Sequence, residues 1–442
     1  MRKYTFGGGI HPLSDKHEGK APTQMREITD FAPDQVTIPM DMHLGAPSVP
    51  IVAKGDYVKL GQVIATATGP RGIPVHASVS GTVSDVGLRQ LAGRVPSMTI
   101  VIDNDHKDDW VELTKVGGVE DAPKDQIIPA IQQAGICGLG GACFPTHAKM
   151  IIPEGKHVDT LIINGAECET FLTSDFRLMV EHPERIIQGT RLAMRAMDID
   201  RAIIGIEDNK PEAIEAMSKA VHGHQGIEVA VLKTKYPQGG ERYIISALLK
   251  REVPSGGLPL DVHVVVLNVG TVAAISDAVL EGSPLITRIV TVTGVVQNPS
   301  NLRVRVGTSI KDAVEFCGGY TEPPARIFYG GSMTGIAVPE DSFPITKANN
   351  GVVVLGEKQV TDYKESPCIR CGRCVRACPT RLNPFQIKDV LDNMDDLDGA
   401  EKLHITDCCV CGACSYVCPA RRTLSASIKA GRDVILARRM AK

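Results

Sequence analysis

The sequence is poor in aromatic residues and carries little net charge. Aromatic residues make up 4% of the 442 positions, and Trp110 is the one tryptophan. This scarcity argues against stacking platforms for single-stranded nucleic acid. The formal net charge of −3 argues against nucleic-acid binding by bulk electrostatic attraction. We therefore expect no nucleic-acid partner.

Long apolar runs are also lacking. The longest candidate, residues 262–280, contains His263, Asn268 and Asp277. A membrane-spanning helix needs about 20 nearly uncharged apolar residues, so this segment is better explained as a buried strand, a loop and a helix. The first nine residues lack the apolar core of a signal peptide. We expect a chain in a reducing, cytosolic-type compartment that can still dock onto a membrane partner.

Thirteen cysteines stand out against this background. Eight of them form two copies of one spacing: Cys368-x-x-Cys371-x-x-Cys374-x-x-x-Cys378-Pro379 and Cys408-x-x-Cys411-x-x-Cys414-x-x-x-Cys418-Pro419. Three thiolates at this spacing surround one iron–sulfur cube, and the fourth reaches the other cube. We therefore predict two [4Fe-4S] clusters with crossed ligands, bound by Cys368, Cys371, Cys374 and Cys418 and by Cys408, Cys411, Cys414 and Cys378. Structural zinc sites are the alternative, but they rarely repeat this triple spacing before Cys-Pro.

The surroundings of these motifs fit a small electron-transfer domain. Apolar residues recur at helical spacing in residues 384–397, as expected for the helix between the motifs of a bacterial ferredoxin fold. The other cysteines are predicted to be small buried thiols that ligate nothing: Cys137, Cys143, Cys168, Cys317 and Cys409.

The middle of the chain has the pattern of an α/β domain. A glycine-rich loop at 138–142 is followed by Lys149, and such a loop lets backbone amides approach a phosphate closely. Short strands alternate with helical patterns: strands at 160–163, 202–206, 228–232 and 262–267, helices at 211–221, 241–249 and 273–280. Ligands bind such sheets at the carboxyl ends of strands. Asn164 and Asn268 follow two of these strands, where an amide can hold the edge of a flavin.

Taken together, the motifs resemble the flavin- and NADH-binding subunit of respiratory complex I. They resemble more closely the C subunit of the Rnf complexes, which are ion-pumping ferredoxin:NAD+ oxidoreductases. The resemblance spans essentially the whole chain and is carried by the glycine loop, Asn164-x-x-Glu167-x-Glu169, Tyr236-Pro-Gln-Gly-Gly-Glu241, Asn268-Val-Gly-Thr271, Gly7-Gly8-Gly9-Ile10-His11-Pro12 and the twin cysteine motifs.

This resemblance implies a non-covalent FMN, with NADH or NAD+ as substrate. The implied cofactor-binding residues are Gly138, Gly140, Gly141, Ala142, Lys149, Asn164, Tyr236 and Asn268. The implied catalytic residues, which would shape the NADH face, are Phe144, Glu167, Glu169 and Glu241. Three positions depart from complex I, where an arginine, an aspartate and a glutamate stand in place of Leu139, Ala166 and Gly240. The complex I subunit also carries one cluster rather than two.

The same resemblance and the local patterns predict a multidomain α/β protein. Residues 1–115 would form an N-terminal extension and a barrel-sandwich hybrid domain, whose hairpin tip at 69–72 lacks the lysine of a lipoyl or biotinyl carrier. A structural or interface role is therefore expected for it. The other units would be a Rossmann-like FMN- and NADH-binding α/β domain at 116–295, a soluble-ligand-binding β-grasp domain at 296–358 and a ferredoxin-like α-helical twin-cluster domain at 359–442.

The cofactors together indicate an electron-transfer subunit. NADH gives up two electrons as hydride and an iron–sulfur cube takes one, so a flavin must stand between them. We expect a peripheral subunit on the cytoplasmic face of a bacterial membrane, passing electrons in either direction between NAD(H), FMN and two clusters. Its partners would be integral membrane subunits, which pump the ions, a ferredoxin-type iron–sulfur subunit and, indirectly, ferredoxin. Two alternatives stay open: a soluble flavin and iron–sulfur cobalamin reductase, and a cluster-only adaptor.

Overall fold

The start of the chain forms a strap, residues 3–12 and 18–31, that runs along other parts of the protein. A computed structural model of the chain describes residues 3–12, 18–93, 95–360 and 363–440, without the side chains of residues 393, 394 and 440. The strap pairs by isolated bridges with the middle of the chain, Tyr4 with Leu232 and Ile10 with Tyr236. It continues through helix α1 (Ala21–Gln24) and strand β1 (Ile28–Phe31).

Two small antiparallel sheets follow the strap and enclose a shared core. Their strands are β2 (Gln35–Pro39), β3 (Val49–Pro50), β4 (Tyr57–Val58), β5 (Val63–Thr66), β6 (Val75–His76), β7 (Gly81–Arg89) and β8 (Ser97–Asn104). The sheet orders are β2-β8-β7-β4 and β3-β5-β6. Alternate residues such as Val36 and Ile38 are fully buried between the sheets, as the period of two in a strand requires.

A four-stranded parallel sheet covered by helices forms the middle of the chain. In order, its elements are α2 (Lys124–Gln133), α3 (Thr146–Met150), β9 (Thr160–Gly165), α4 (Ser174–Glu181), α5 (Pro183–Met197), β10 (Ala202–Glu207), α6 (Pro211–Ala220), β11 (Ile227–Leu232), α7 (Glu241–Leu249), a 3-10 turn (Pro259–Val262), β12 (Val264–Asn268), α8 (Val269–Ser276) and a π turn (Asp277–Glu281). The strand order is β11-β10-β9-β12. The carboxyl ends of β9 and β12 are therefore neighbours.

The predicted elements of this sheet are largely confirmed. All four strands and the helices α6 and α7 are present, with ends within two residues of the expectation. The prediction misses α2, α3, α4 and α5. It also starts the helix after β12 four residues too late, because the Asn268 side chain accepts a hydrogen bond from the Gly270 N–H and caps α8 immediately after the strand.

A mixed sheet comes next along the chain. Its elements are β13 (Thr287–Gly294), β14 (Ser300–Arg305), α9 (Ile310–Phe316), β15 (Arg326–Tyr329), β16 (Ile336–Val338), β17 (Gly351–Leu355) and a 3-10 turn (Glu357–Gln359). The order is β1-β14-β13-β17-β15-β16. The edge strand β1 comes from the strap and pairs in parallel with β14, from Ile28 opposite Asn301 to Phe31 opposite Val304.

The C-terminal region is helical. It consists of α10 (Arg373–Ala377), α11 (Pro384–Met394), α12 (Leu397–Lys402), a 3-10 turn (Ile405–Asp407), α13 (Ala413–Tyr416) and α14 (Leu424–Met440). Helix α11 packs on α14 through buried residues such as Ile387 and Ile428. It ends before the predicted residue 397, since Asp395 takes a left-handed conformation. In the described ranges, no helix is both long and apolar enough to cross a membrane.

We predict that Gly189→Ala destabilises the protein, although alanine is the better helix former by about 1 kcal/mol. A Cβ at Gly189 in α5 would lie 1.7 Å from the Val272 carbonyl oxygen of α8, and overpacking costs about 1–3 kcal/mol. The free energy of unfolding in urea measures the effect. Gly431→Ala in α14 is the matched control, because its Cβ would meet only the movable side-chain ends of Leu391 and Ile405 and no backbone atom. An unchanged midpoint for Gly189→Ala would show that α5 and α8 do not pack this closely.

Candidate functional site

The glycine loop, residues 138–142, forms the tip of a narrow hairpin between α2 and α3. Cys137 and Pro145 form an antiparallel bridge across its neck. The Gly138 N–H donates to the Phe144 carbonyl at 2.8 Å. The neck thus fixes where the loop leaves and re-enters the domain.

The tip of this loop presents bare backbone to open space. Gly140, Gly141 and Ala142 are all solvent-exposed. Gly141 has a φ of +105°, and no atom lies within 4 Å of where its Cβ would stand, so the conformation favours glycine. A Cβ at Gly140 would lie 3.5 Å from the Asn268 Cβ. The loop tip therefore lies beside the carboxyl end of β12.

Two buried cations from outside the hairpin hold it in place. Arg288 in β13 donates to the Leu139 carbonyl at 2.5 Å, and Lys347 donates to the Gly135 carbonyl at 2.7 Å. Burial lowers the pKa of both side chains, and the hydrogen bonds to the carbonyls offset part of that desolvation. The sequence prediction misses both cations. The one hint in the sequence is Leu139, where complex I has an arginine. Here the arginine that contacts the loop is Arg288, which comes from β13.

The two asparagines predicted to hold a flavin lie side by side. Asn164 and Asn268 are register partners at the ends of β9 and β12. The Asn164 Nδ2 donates to the Gly239 carbonyl at 2.7 Å, and the Asn268 Nδ2 donates to the Asp175 carboxylate at 2.6 Å. Each amide is thus oriented by a fixed acceptor.

The predicted acidic residues of the loop after β9 are already engaged by the protein. The Glu167 carboxylate accepts from the Asp175 N–H at 2.7 Å, at the first turn of α4. The Glu169 carboxylate accepts from the Met333 N–H at 3.1 Å and from the Thr334 hydroxyl. Burial raises the pKa of Glu169. Glu167 therefore caps a helix, and Glu169 ties this loop to the loop after β15.

A buried lysine of the strap fixes the same loop. Lys20 donates to the carbonyls of Glu167 at 3.0 Å, Glu169 at 2.6 Å and Leu172 at 2.7 Å. Its pKa is lowered, first by burial. The sequence offered no signal for this residue, since a single lysine distant along the chain belongs to no periodic pattern.

Three more predicted residues, Phe144, Lys149 and Glu241, lie in or beside the hairpin that carries the glycine loop. Lys149 forms an ion pair with Glu241, and both side chains are partly exposed. The hairpin tip of the barrel sandwich reaches the same region, where the Arg71 guanidinium lies 5.7 Å from the centre of the Phe144 ring. The Leu44 N–H also donates to the Cys143 carbonyl at 3.0 Å. The barrel-sandwich unit therefore forms an interface with the glycine loop.

Two tyrosines connect this region to the second cysteine motif. The Tyr236 hydroxyl donates to the Cys411 carbonyl at 2.7 Å, and the Tyr243 hydroxyl donates to the Cys409 Sγ at 3.0 Å. Cys409 is exposed and Cys168 is half-buried, so the prediction of buried thiols is wrong for these two. The other three non-ligating cysteines, Cys137, Cys143 and Cys317, are buried as expected.

The structure brings together the first predicted set of ligands. Cys368, Cys371, Cys374 and Cys418 line one cavity, together with Arg370, Arg373 and Arg422. Within the described ranges, no three His, Cys, Asp or Glu side chains are placed to hold a single metal ion. The four thiols therefore surround a space rather than converge on a point, and positive charge borders that space.

The second set also occupies one neighbourhood. Cys378 and Cys408 pack against the same apolar core. Burial raises the pKa of Cys408 to about 11 and of Cys414 to about 12, and the charge of Cys378 adds to both shifts. Such thiols stay protonated until a metal centre stabilises the thiolates.

These arrangements fit the groups that the sequence predicts. Exposed glycines beside two fixed asparagine amides suit a flavin phosphate and ring. Four thiols around a space bordered by arginines suit a polynuclear iron–sulfur cluster, which carries negative charge with its ligands.

Comparison with protein families assigns four regions. Residues 4–107 match the RnfC barrel sandwich hybrid domain, and residues 131–277 match the Nuo51 FMN-binding domain. Residues 289–337 match the SLBB domain, and residues 361–426 match the 4Fe-4S dicluster domain.

Three curated proteins are similar over most of the chain. The C subunit of the proton-translocating ferredoxin:NAD(+) oxidoreductase complex of Clostridium ljungdahlii is 46% identical, over 87% of this chain and 83% of that protein. The corresponding subunit of the Na(+)-translocating complex of Acetobacterium woodii is 42% identical, over 98% of both chains. The corresponding subunit of the ion-translocating oxidoreductase complex of Rhodobacter capsulatus is 39% identical, over 91% of this chain and 78% of that protein.

We predict that Asp175→Asn reduces the pH dependence of stability. Burial raises the pKa of Asp175 from 3.8 to about 7, with the charge of Glu167 adding to the shift. A carboxyl with a raised pKa in the folded state binds more protons than in the unfolded state between these two values. Wild-type stability should therefore fall as the pH rises through that window. The Asp175→Asn protein should show a smaller fall, because Glu169, Glu207 and Asp277 also have raised pKa values and still contribute. Urea unfolding across the window measures it.

The control for this titration is Asp261→Asn. Asp261 is an exposed carboxyl whose pKa is lowered, first by a hydrogen bond from the Leu258 N–H, so its contribution to stability changes only at more acidic pH. This variant should keep the wild-type fall. Parallel stability curves for wild type and Asp175→Asn would contradict the assignment.

Proposed function

The chain belongs to the RnfC family, the C subunits of the ion-translocating ferredoxin:NAD+ oxidoreductases, and we propose that it is the subunit that exchanges electrons with NAD(H). The resemblance predicted from the sequence is thereby confirmed. An FMN-binding domain and a 4Fe-4S dicluster domain in one chain are the observation that carries this function. FMN takes two electrons as hydride and releases them one at a time, which couples NAD(H) to clusters.

We infer four domains, at 1–115, 116–295, 296–358 and 359–442. The parallel sheet with strand order β11-β10-β9-β12 supports a Rossmann-like unit, and the mixed sheet with α9 supports a β-grasp unit. The match to the SLBB domain begins at residue 289, a few residues before the inferred boundary at 296. Two strands are exceptions. Strand β1 lies in the first domain and strand β13 (Thr287–Gly294) in the second, yet both belong to the sheet of the third.

We assign the flavin to the cleft between the glycine loop and the ends of β9 and β12. Exposed backbone at Gly140 and Gly141 would accept the phosphate side. Asn164 and Asn268 would hold the ring, each with an amide already oriented by a fixed acceptor. Of the other predicted cofactor-binding residues, Gly138, Ala142 and Lys149 would border the phosphate. Tyr236 would shape the side of the flavin site that faces the clusters.

The NAD(H) face would lie at the mouth of this cleft. Phe144 is partly exposed there, and Glu241 pairs with Lys149. Glu167 and Glu169 would act by positioning the loop after β9, because their carboxylates already bind backbone N–H groups of α4 and of the loop after β15.

We infer the order of the two clusters from their surroundings. The set Cys408, Cys411, Cys414 and Cys378 would hold the cluster near the flavin, since Tyr236 hydrogen-bonds to the Cys411 carbonyl. The set Cys368, Cys371, Cys374 and Cys418 would hold the outer cluster, because Cys371 is exposed and the neighbouring Ile369 has 67% of its surface exposed.

The outer cluster gives the chain a surface for its partners. We propose that Ile369 and the arginines around the first cavity face a ferredoxin-type iron–sulfur subunit. Integral membrane subunits would then hold this chain at the cytoplasmic face of the membrane, and ferredoxin would exchange electrons with it indirectly. The relatives support this, since each is named as one subunit of a larger complex.

The test of the function is anaerobic purification of the full chain followed by flavin and iron analysis and an NADH:ferricyanide assay. We expect one FMN, two clusters and NADH oxidation. Full iron content without flavin would leave only the cluster-only adaptor. Rapid reduction of a corrinoid by a protein that does not copurify with membrane subunits would favour the cobalamin reductase.

Cysteine variants test the crossed ligands. We expect Cys371→Ser and Cys418→Ser, although 47 positions apart in the sequence, to abolish the same cluster signal in electron paramagnetic resonance. Each should lose about half of the iron and keep the flavin. Cys378→Ser should abolish the other signal.

Cys317→Ser is the matched control, since Cys317 is a buried thiol outside both motifs. It should leave iron and both signals unchanged. Loss of different signals in Cys371→Ser and Cys418→Ser would refute the crossing without touching the flavin assignment.

A further inference from the structure

Two cysteines that neither cluster uses face each other across the neck of the glycine loop. Cys137 precedes the loop and Cys143 ends it, and their Sγ atoms are 3.2 Å apart. Their side chains are almost completely buried, with 0% and 2% of their surfaces exposed. The bridge between Cys137 and Pro145 holds the two sides of the neck together. The backbone of the hairpin therefore holds the two thiols close together.

The surroundings make the two thiols unequal. The hydrogen bond between the two thiols lowers the pKa of Cys137 and raises that of Cys143. The buried cations Lys347 and Arg288 also favour a thiolate at Cys137. A nucleophilic thiolate beside a protonated partner is the arrangement that a dithiol needs to reduce an oxidant.

We propose that Cys137 and Cys143 are a redox-active pair that forms a disulfide across the neck of the glycine loop when a small hydroperoxide oxidises it. The Cys137 sulfur attacks one peroxide oxygen, the O–O bond breaks, and a sulfenic acid and one water form. The Cys143 sulfur then displaces the sulfenic oxygen, the S–S bond forms, and the second water leaves. Two thiols and one hydrogen peroxide give one disulfide and two waters. The sulfurs lose the two electrons that the peroxide gains.

The movement required is small. A disulfide has an S–S distance of about 2.05 Å, so the two sulfurs approach by roughly 1 Å from their present separation. The burial of both thiols excludes bulky oxidants and favours a small one such as hydrogen peroxide. The reaction closes a ring that contains the whole glycine loop, so the modification covalently fixes the ends of the segment that faces the flavin cleft.

Peptide mass analysis of the full, cofactor-loaded protein tests the pair directly. The protein is treated with hydrogen peroxide, denatured, alkylated with iodoacetamide and digested with trypsin. Residues 125–149 form one tryptic peptide that contains Cys137 and Cys143 and no other cysteine. We expect this peptide to become lighter by two hydrogen atoms, to escape alkylation and to regain two alkylation sites after dithiothreitol.

An internal control lies in residues 312–326, whose tryptic peptide carries Cys317 alone. Burial raises the pKa of Cys317 to about 11, so this thiol should remain alkylated at the same dose. Cys143→Ser should abolish the mass loss in residues 125–149, and Cys317→Ser should retain it. If a variant does not fold, the mass of residues 125–149 from the peroxide-treated wild-type protein still decides whether the disulfide forms.

The proposal is overturned if both cysteines of residues 125–149 stay open to alkylation at a peroxide dose that converts the exposed Met25 to its sulfoxide. It is also overturned if they reach sulfinic acid without passing through the intramolecular disulfide. Neither result depends on NADH oxidation, so the outcome is separate from that of the proposed function.

Discussion

Hydrogen bonds from three buried cations to backbone carbonyls hold the site together. Lys20 binds the loop after β9, Arg288 binds the glycine loop, and Lys347 binds the start of the hairpin that carries it. A buried ammonium or guanidinium is costly unless its N–H groups are satisfied, so each cation tolerates only a loop conformation that places carbonyls in reach. Lys20 belongs to the strap, and the other two belong to the segment that forms the mixed sheet. The cleft therefore takes its shape only when these regions are assembled.

The segment around Tyr236 joins the two halves of the proposed electron path. Its Ile10 partner lies in the strap, its hydroxyl binds the Cys411 carbonyl, and the nearby Gly239 carbonyl orients Asn164. A shift of this segment would move the flavin-side asparagine and the cysteine loop together. In the proposed path, one short piece of backbone would thereby set the distance between the flavin and the nearer cluster.

Much of the fold and part of the site could be predicted because their signals are local. The twin cysteine spacings, the four strands and helix α7 each depend on residues a few positions apart. The roles of Lys20, Arg288 and Lys347 could not be predicted, since their partners lie far away in sequence and a single lysine or arginine has no periodicity. Cys409 shows the same limit: it stands among cluster ligands, yet its exposure and its contact with Tyr243 depend on how two domains meet.

The strap also bears on the order in which the chain assembles. A ribosome produces it before the segments that it contacts, so Lys20 has no carbonyls to bind until residues 167–172 exist, and β1 has no partner until β14 is made. The acceptor of the Gly9 N–H, the Ala377 carbonyl, is synthesised later still. Such distant contacts form late, because the chain must close long loops first. The strap therefore cannot take its final position until the later segments that it contacts have been synthesised.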